Sequence, residues 1–279
     1  MHVPAVNAST ELLLPYKYLK NVGHSAISQT WVAKDTRKEE NALCIIQKLD
    51  FHTDDQGLVR YGQTLLGHKV HTLQTLFKDI GSTYTIYDSF SEGQSFYVVQ
   101  SLVKGTSVHR LRLQEALLGS QVLVILSQIL TLLQQSYSWG LGSCCLQPGD
   151  LIQQQSDRTD WIWTGAGILK KVVQQVGEPY LALTDLFPKD TSAYFSPECL
   201  QGRVDISSDL YTVGVSLVQV LTQLPIKDLV HGSSGYFTIR RNWYHQRQLP
   251  DVLVETLNRM IHPNPSKRYS TITDVLSDH

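Results

Sequence analysis

Residues 191–221 read TSAYFSPECLQGRVDISSDLYTVGVSLVQVL, and this stretch carries more information about the fold than any other. It contains Ser-Pro-Glu at 196–198, followed by Ser208–Leu221, whose apolar residues predict a helix. A further motif, Pro-Asn-Pro-Ser-Lys-Arg-Tyr, lies downstream at 263–269. All three segments lie in the second half of the chain, where helical patterns dominate.

The composition predicts a folded protein without a strong charge preference. The chain has 279 residues, of which 42% are hydrophobic and 18% are charged, so it can bury a large core in one large domain or two small ones. Lys and Arg number 24 and Asp and Glu number 25, for a net charge of -1. This balance gives no reason to expect nucleic acid or an anionic membrane as the main partner.

Cysteine usage and hydropathy predict a cytoplasmic protein without a membrane span. The four cysteines include no pair at zinc-ligand spacing, and the first ten residues lack the pattern of a signal peptide. The most apolar stretch, Leu117–Leu133, is interrupted by Gly119 and by polar residues, so it is expected to be a buried helix. We therefore expect a reducing compartment.

The order of predicted elements suggests two lobes with a cleft between them. Strands dominate the first third of the chain, with one helix among them, and helices dominate from Gly105 onward. A strand-rich part joined to a helical part is typical of an α+β protein. The predicted strands are Tyr16–Val22, Thr30–Lys34, Ala42–Leu49, Tyr84–Phe90 and Ser95–Ser101, and the predicted helices are Leu58–Phe77, Val122–Ser138, Ser208–Leu221 and Val252–Ile261.

The motifs at 191–198, 208–215 and 263–269, in this order, resemble those of a protein kinase of the bacterial Ser/Thr type. The resemblance runs from about Tyr16 to His279. It implies an α+β bilobal fold, with a small lobe (antiparallel sheet and one main helix) at about 16–101, a hinge at 101–105 and a larger helical lobe at 106–279. Residues 1–15 are then an N-terminal extension.

The resemblance also assigns structural roles to three residues of the large lobe. Ser-Pro-Glu takes the place of the family's Ala-Pro-Glu motif, which implies that Glu198 pairs with Arg268 of the motif at 263–269. Asp209 matches the aspartate that anchors the backbone of the catalytic loop from beneath.

In the small lobe, the phosphate-binding residues of the family are largely replaced. Gly23 remains from the glycine-rich loop, but Ser25 and Ser28 stand at the second and third glycine positions, which weakens the phosphate cradle.

The ion pair that holds the phosphates in the family is also missing. Aligning residues 44–47 with Val-Ala-Ile-Lys puts Gln47 at the lysine position, and Lys48 points to the opposite face unless the register slips. Lys69 stands where the helix normally supplies a glutamate. It is expected to be solvated, to bond Gln47, or to meet a carboxylate elsewhere.

In the large lobe, the resemblance puts Cys145 at the position of the catalytic base, Asp150 at that of the metal-binding asparagine and Gly165 at that of the metal-binding aspartate, so the base and the aspartate are absent. One carboxylate is few for Mg²⁺, which usually takes one or two together with phosphates. Cys145 could act as a nucleophile, but no partner base is evident, and a small buried hydrophobic residue is the simpler interpretation.

The segment 236–247 mixes aromatic and basic residues, among them Arg240, Arg241, Trp243 and Tyr244. These residues could pack against the lobe, form a face that docks a protein partner, or stack on single-stranded nucleic acid. Packing or protein docking is the expectation, and no nucleic acid is expected.

These replacements predict a catalytically inactive pseudokinase, not an enzyme, that acts as a protein-binding scaffold or allosteric regulator. No cofactor is expected, and nucleotide binding is expected to be unlikely. One alternative is a divergent kinase-like enzyme that retains weak ATP binding or phosphotransfer, with Lys48 after a register slip and Asp150 for metal. Another is a cleft that senses a small molecule other than a nucleotide.

Overall fold

The structure is a computed structural model that describes residues 12–13, 15–38, 42–111, 119–142, 146, 149–155, 161–177, 194–224, 230–231, 236–237 and 249–278. Strands dominate these residues up to position 107, and helices dominate after it. None of the described helices is long and apolar enough to cross a membrane.

The small lobe is built on a six-stranded sheet of order β1-β2-β3-β4-β6-β5, in which all neighbouring strands are antiparallel. Two separate apolar clusters lie in this lobe, one continuous with the main core and one formed by Tyr16, Ala33, Cys44, Ile46, Tyr97 and Val99. The sheet is therefore covered by apolar contacts on both faces. The strands are β1 (Leu12–Leu13), β2 (Tyr16–His24), β3 (Ser28–Asp35), β4 (Leu43–Asp50), β5 (Ile86–Glu92) and β6 (Ser95–Ser101).

The main helix of the small lobe, α1 (Gln56–Asp79), starts at a well-formed cap. The Asp55 side chain accepts hydrogen bonds from the backbone N–H groups of Gly57 and Leu58, which have no partner within the helix. Its apolar face, which includes Leu66 and Leu73, is buried. α1 lies against β5, β6 and a helix of the large lobe, α4 (Ala166–Gly177).

The large lobe combines helices with a small sheet of order β7-β8-β9. Its helix α5 is buried along most of its length, including polar side chains such as Ser208, Thr212 and Gln219. A Cβ at Gly214 would lie 2.7 Å from Ile261 Cγ2, so this glycine allows a close approach of the chain after α6. The remaining elements are β7 (Gly105–Ser107), α2 (Val108–Leu111), α3 (Gly119–Ser138), β8 (Leu151–Gln154), β9 (Trp161–Trp163), α5 (Ile206–Thr222), β10 (Val230–His231), β11 (Tyr236–Phe237), α6 (Asp251–Met260) and α7 (Ile272–Ser277).

The predicted α+β fold with a sheet-based lobe and a helical lobe is confirmed. Each strand and helix that the hydrophobic pattern predicts is present within three residues of its predicted bounds. Several elements were not anticipated, among them the edge strand at 12–13 next to β2 and helix α4 at 166–177.

Two glycines of α1 provide a matched test of its packing. Gly67→Ala is expected to raise the free energy of unfolding by about 0.5–1 kcal/mol, because nothing lies within 4 Å of the new Cβ and alanine favours the helix. Gly62→Ala is expected to lower it by about 1–2 kcal/mol, since the Cβ would lie 2.4 Å from Phe51 Cε1. Urea unfolding measures both values, and equal stability of the two variants would contradict the packing of α1 on Phe51.

Candidate active site

The turn between β2 and β3 is closed by its own hydrogen bonds. The Ser25 N–H donates to the Ser28 carbonyl at 2.8 Å, and the two hydroxyl groups lie 2.8 Å apart. Ile27, between them, is fully buried in the main core. The Ser25 amide is therefore already satisfied within the turn, which leaves Gly23 beside a weak phosphate cradle.

β4 presents Gln47 and Lys48 to opposite faces of the sheet. Gln47 lies opposite Val98 of the main core and is buried, and its Oε1 has no hydrogen-bond partner among the described residues. Lys48 lies opposite Tyr97 of the outer cluster, and its Nζ is 3.1 Å from Asp50 Oδ1. No register slip brings Lys48 into the cleft, so this part of the divergent-enzyme alternative is wrong.

α1 meets the large lobe through Lys69 and Leu73. Lys69 Nζ donates to the Gly140 carbonyl oxygen at 3.1 Å, which places this cation on the turn after α3. Gly165 has a φ of +68°, and a Cβ there would lie 2.9 Å from Leu73 Cδ2. In this conformation the backbone and the leucine both disfavour a side chain at position 165, to which the resemblance assigns the metal-binding aspartate.

A group of polar side chains surrounds Asp150 where β8 begins. The Thr164 N–H donates to the Asp150 carbonyl at 3.0 Å, and the Thr164 hydroxyl is 3.5 Å from Asp150 Oδ1. The buried Tyr84 hydroxyl donates to Gln100 Oε1 and lies 3.4 Å from the Thr164 carbonyl. Burial and the Asp150 charge both raise the pKa of Tyr84, so the phenol remains protonated and available as a donor.

Helix α4 brings a cation to this group. Lys170 is partly buried, which lowers the pKa of its ammonium, while the negative charge of Asp150 acts in the opposite direction. The two residues carry opposite charges, and the charge of Asp150 favours the protonated form of Lys170. Sequence reasoning missed Lys170, although Ile168, Leu169, Val172 and Val173 follow a helical period that would have predicted α4.

The fit of a divalent ion to this site is partial. No group of three or more potential metal ligands occurs among the described side chains. Asp150 offers one carboxylate and Gly165 offers none, so a magnesium ion would take its other ligands from substrate phosphates and water.

The framework beneath the cleft is held by a buried ion pair. Arg268 Nη1 and Nη2 lie 2.6 and 3.0 Å from the two oxygens of Glu198, and the Ser208 hydroxyl donates to Glu198 Oε1 at 2.7 Å. The guanidinium also lies over the Tyr211 ring. Burial raises the pKa of Glu198, but hydrogen bonds from Arg268, Ser196 and Ser208 outweigh it and hold the pKa at about 2.

Asp209 connects α5 to the segment that precedes β8. Its Oδ2 accepts from the Tyr137 hydroxyl at 2.9 Å, and its Oδ1 is 3.4 Å from the Leu146 N–H. The aspartate therefore contacts the backbone next to the positions of the family's catalytic loop. Cys145 itself lies outside the described residues, as do Arg240, Arg241, Trp243 and Tyr244.

Comparison with known sequences finds similar proteins among bacterial Ser/Thr protein kinases. No protein-family model matches it. Serine/threonine-protein kinase D of Synechocystis sp. is 26% identical over 94% of this chain and 51% of its own length. Serine/threonine-protein kinase PknA of Nostoc sp. is 25% identical over 94% of this chain and 46% of its own length. The chain thus spans about half the length of the curated relatives it matches.

Solved structures agree on the fold. The PknI kinase domain of Mycobacterium tuberculosis superposes with a TM-score of 0.62 at 15% identity, over 99% of this chain and 97% of its own. Rad53 residues 1–466, in complex with AMP-PNP, superposes with a TM-score of 0.67 at 17% identity, over 93% of this chain and 63% of its own. The chain therefore has the fold of a protein kinase domain, and its sequence is similar to those of bacterial Ser/Thr protein kinases.

The sequence similarity to kinases corrects the expectation about enzymatic activity. The expectation that the chain is not an enzyme is wrong, because relatives that match 92–94% of it, at 22–26% identity, are named Ser/Thr protein kinases.

Removal of one member of the buried pair is expected to destabilise the domain strongly. Arg268→Met leaves the Glu198 carboxylate buried without its cation and should cost about 3–5 kcal/mol in the free energy of unfolding. Arg259→Met is the control, since Arg259 and Asp278 lie 3.4 Å apart and are about half exposed, and it should cost about 0–1 kcal/mol. Similar losses in both variants by urea unfolding would show that the buried pair has no special role.

The pH dependence of stability tests the same carboxylate. The pKa of Glu198 is about 2 in the folded chain against 4.5 for a free side chain, so its contribution is complete above about pH 4.5 and is lost as the pH falls toward 2. Glu198→Gln should remove this part of the acid sensitivity. The measurement is the difference in unfolding free energy between the wild type and Glu198→Gln from pH 6 to pH 2. If this difference does not become smaller toward pH 2, the lowered pKa of Glu198 is contradicted.

Proposed function

We propose that the chain is a divergent Ser/Thr protein kinase domain that binds a nucleoside triphosphate in its cleft and transfers the terminal phosphoryl group slowly to a protein substrate. The observation that carries this proposal is the opposite-sign pair of Asp150 and Lys170 in the cleft of a chain whose matched relatives are named kinases. Phosphoryl transfer requires mainly positioning and neutralisation of phosphate charge, and this pair supplies a metal ligand and a cation.

Lys170 takes the role of the lysine that the family places at the position of Gln47. It lies on α4 and is close enough to Asp150 for the carboxylate to affect its pKa, whereas Lys48 faces the outer side of the sheet. Gln47 adds an amide on the cleft side of β4, where its Nε2 is a donor suited to a phosphate oxygen. Phosphate charge beside Lys170 would favour its protonated form, against the effect of burial.

Asp150 is the residue that would hold a divalent ion together with the phosphates. Such an ion, when bound, neutralises charge that develops on the phosphoryl group. Because the site offers one carboxylate, affinity for the metal–nucleotide complex is expected to be low.

The rate of phosphoryl transfer is expected to be low because the family's catalytic base and some of its charged residues are replaced. Loss of a positioned base typically costs about 10²–10⁴ in rate, and loss of an electrostatic stabiliser about 10²–10³. These factors do not multiply, since the parts act together. Turnover well below the usual kinase range of about 1–100 s⁻¹ is therefore expected.

The test compares three lysines in the full chain. Mg-ATP should raise the melting temperature of the wild type, since a ligand at a hundred times its Kd adds about 2.7 kcal/mol. Lys170→Met and Asp150→Ala should abolish this shift and the transfer of labelled γ-phosphate. Lys171→Met, the neighbour on α4, and Lys48→Met, on the outer face, should retain both.

Two outcomes would contradict the proposal. No melting shift and no labelled product with millimolar Mg-ATP or Mn-ATP would exclude nucleotide chemistry in this cleft. If Lys48→Met lost the rise in melting temperature with Mg-ATP and Lys170→Met retained it, the cation that binds the phosphates would be Lys48 on β4.

A further inference from the structure

A cavity of about 330 Å³ lies between the C-terminal end of α1 and its loop to β5, the middle of α3, and the β8–β9 pair. Phe77 and Ile80 line it from the small lobe, and Trp161 and Trp163 line it from β9. Gln47, Asp150 and Lys170 are not among its lining residues. The cavity is therefore separate from the nucleotide cleft proposed above, and its volume lies in the range of small-molecule sites.

Three residues that line this cavity carry a buried polar atom without a partner. The Nε1–H groups of Trp161 and Trp163, on β9, and Gln128 Oε1, on α3, have no hydrogen-bond partner among the described residues. Trp161 is only 6% exposed. A buried donor and a buried acceptor left unmatched both cost free energy, so a molecule that satisfies both would gain binding energy in two places.

The charge of the wall restricts the chemistry of that molecule. The described lining residues include serine, threonine and glutamine side chains next to aromatic and aliphatic ones, and none of them is charged. A charged ligand would lose its hydration without a counter-charge, which is costly. An uncharged molecule would lose less, and its apolar part would contact Phe77 and Leu132.

We propose that this cavity binds an uncharged, flat small molecule with an amide-like group, whose carbonyl accepts from Trp161 Nε1–H and whose N–H donates to Gln128 Oε1. A ring of the size of benzene attached to the amide would lie against the apolar part of the wall.

The test uses benzamide as the probe and the full chain labelled with ¹⁵N at its tryptophans. The chain has five tryptophans, so five indole N–H signals are expected, and Trp161→Phe identifies the one that matters. Benzamide should shift the Trp161 signal in a saturable way. The exposed Trp139 should not respond, and Trp139→Phe should bind benzamide as the wild type does.

Variants and related probes test each contact. Trp161→Phe and Gln128→Leu keep most of the side-chain volume and should each weaken benzamide binding about ten-fold or more. N,N-Dimethylbenzamide, which lacks the donor, and benzoate, which is charged, should both bind more weakly than benzamide. Gln128→Leu keeps the test valid should Trp161→Phe fold poorly.

Four results would overturn the proposal. These are the absence of a saturable shift up to the solubility of benzamide, a shift that both variants retain, displacement of benzamide by AMP-PNP, and benzoate binding as strong as that of benzamide. In the first case the cavity contains water only. In the third case the probe is bound in the nucleotide cleft, and the proposed function is unaffected.

Discussion

The bidentate contact of Glu198 with Arg268 is the constraint on which the large lobe depends. Both groups are nearly excluded from solvent, so each would cost several kcal/mol to bury alone. The hydroxyl of Ser208 on α5 and the ring of Tyr211 complete their surroundings. The pair thereby joins the segment before α5 to the segment after α6. The ion pair fixes the position of α5, and Asp209 on this helix accepts from the backbone N–H of Leu146 next to the cleft.

In the cleft above this ion pair, the polar groups have fewer hydrogen-bond and charge partners. Gln47 presents a buried amide oxygen without a described partner, and Leu73 packs on Gly165 where the family has a carboxylate. A neutral residue at the lysine position lowers the electrostatic cost of an empty cleft, since no buried cation then needs a partner. The same change removes a contact to phosphate. The structure thus combines a rigid framework with a site whose charges come from other elements.

Much of the framework could be predicted from the sequence, because its signals are local. α1 shows a helical period, the β5–β6 hairpin turns at Gly93, and the capped start of α5 follows Asp205. Gln47 could be assigned to the cleft because side chains alternate along a strand. The juxtaposition of Asp150 with Lys170 could not be predicted, since it depends on how α4 packs against α1. Nor does any local pattern show that the indole N–H of a strand residue will lack a partner.

The position of the cation is coupled to the packing of the two lobes. Lys170 lies within the electrostatic influence of Asp150, and its helix α4 lies against α1 and β4. Phe51 lies next to both helices at positions where the glycines Gly62 and Gly177 leave room. A movement of α4 away from α1 would expose the apolar face around Val172 and would also withdraw the ammonium group from the carboxylate. Helix α4 therefore both buries apolar surface and positions the charge of Lys170. In this domain the order of α4 and the electrostatics of the cleft therefore change together.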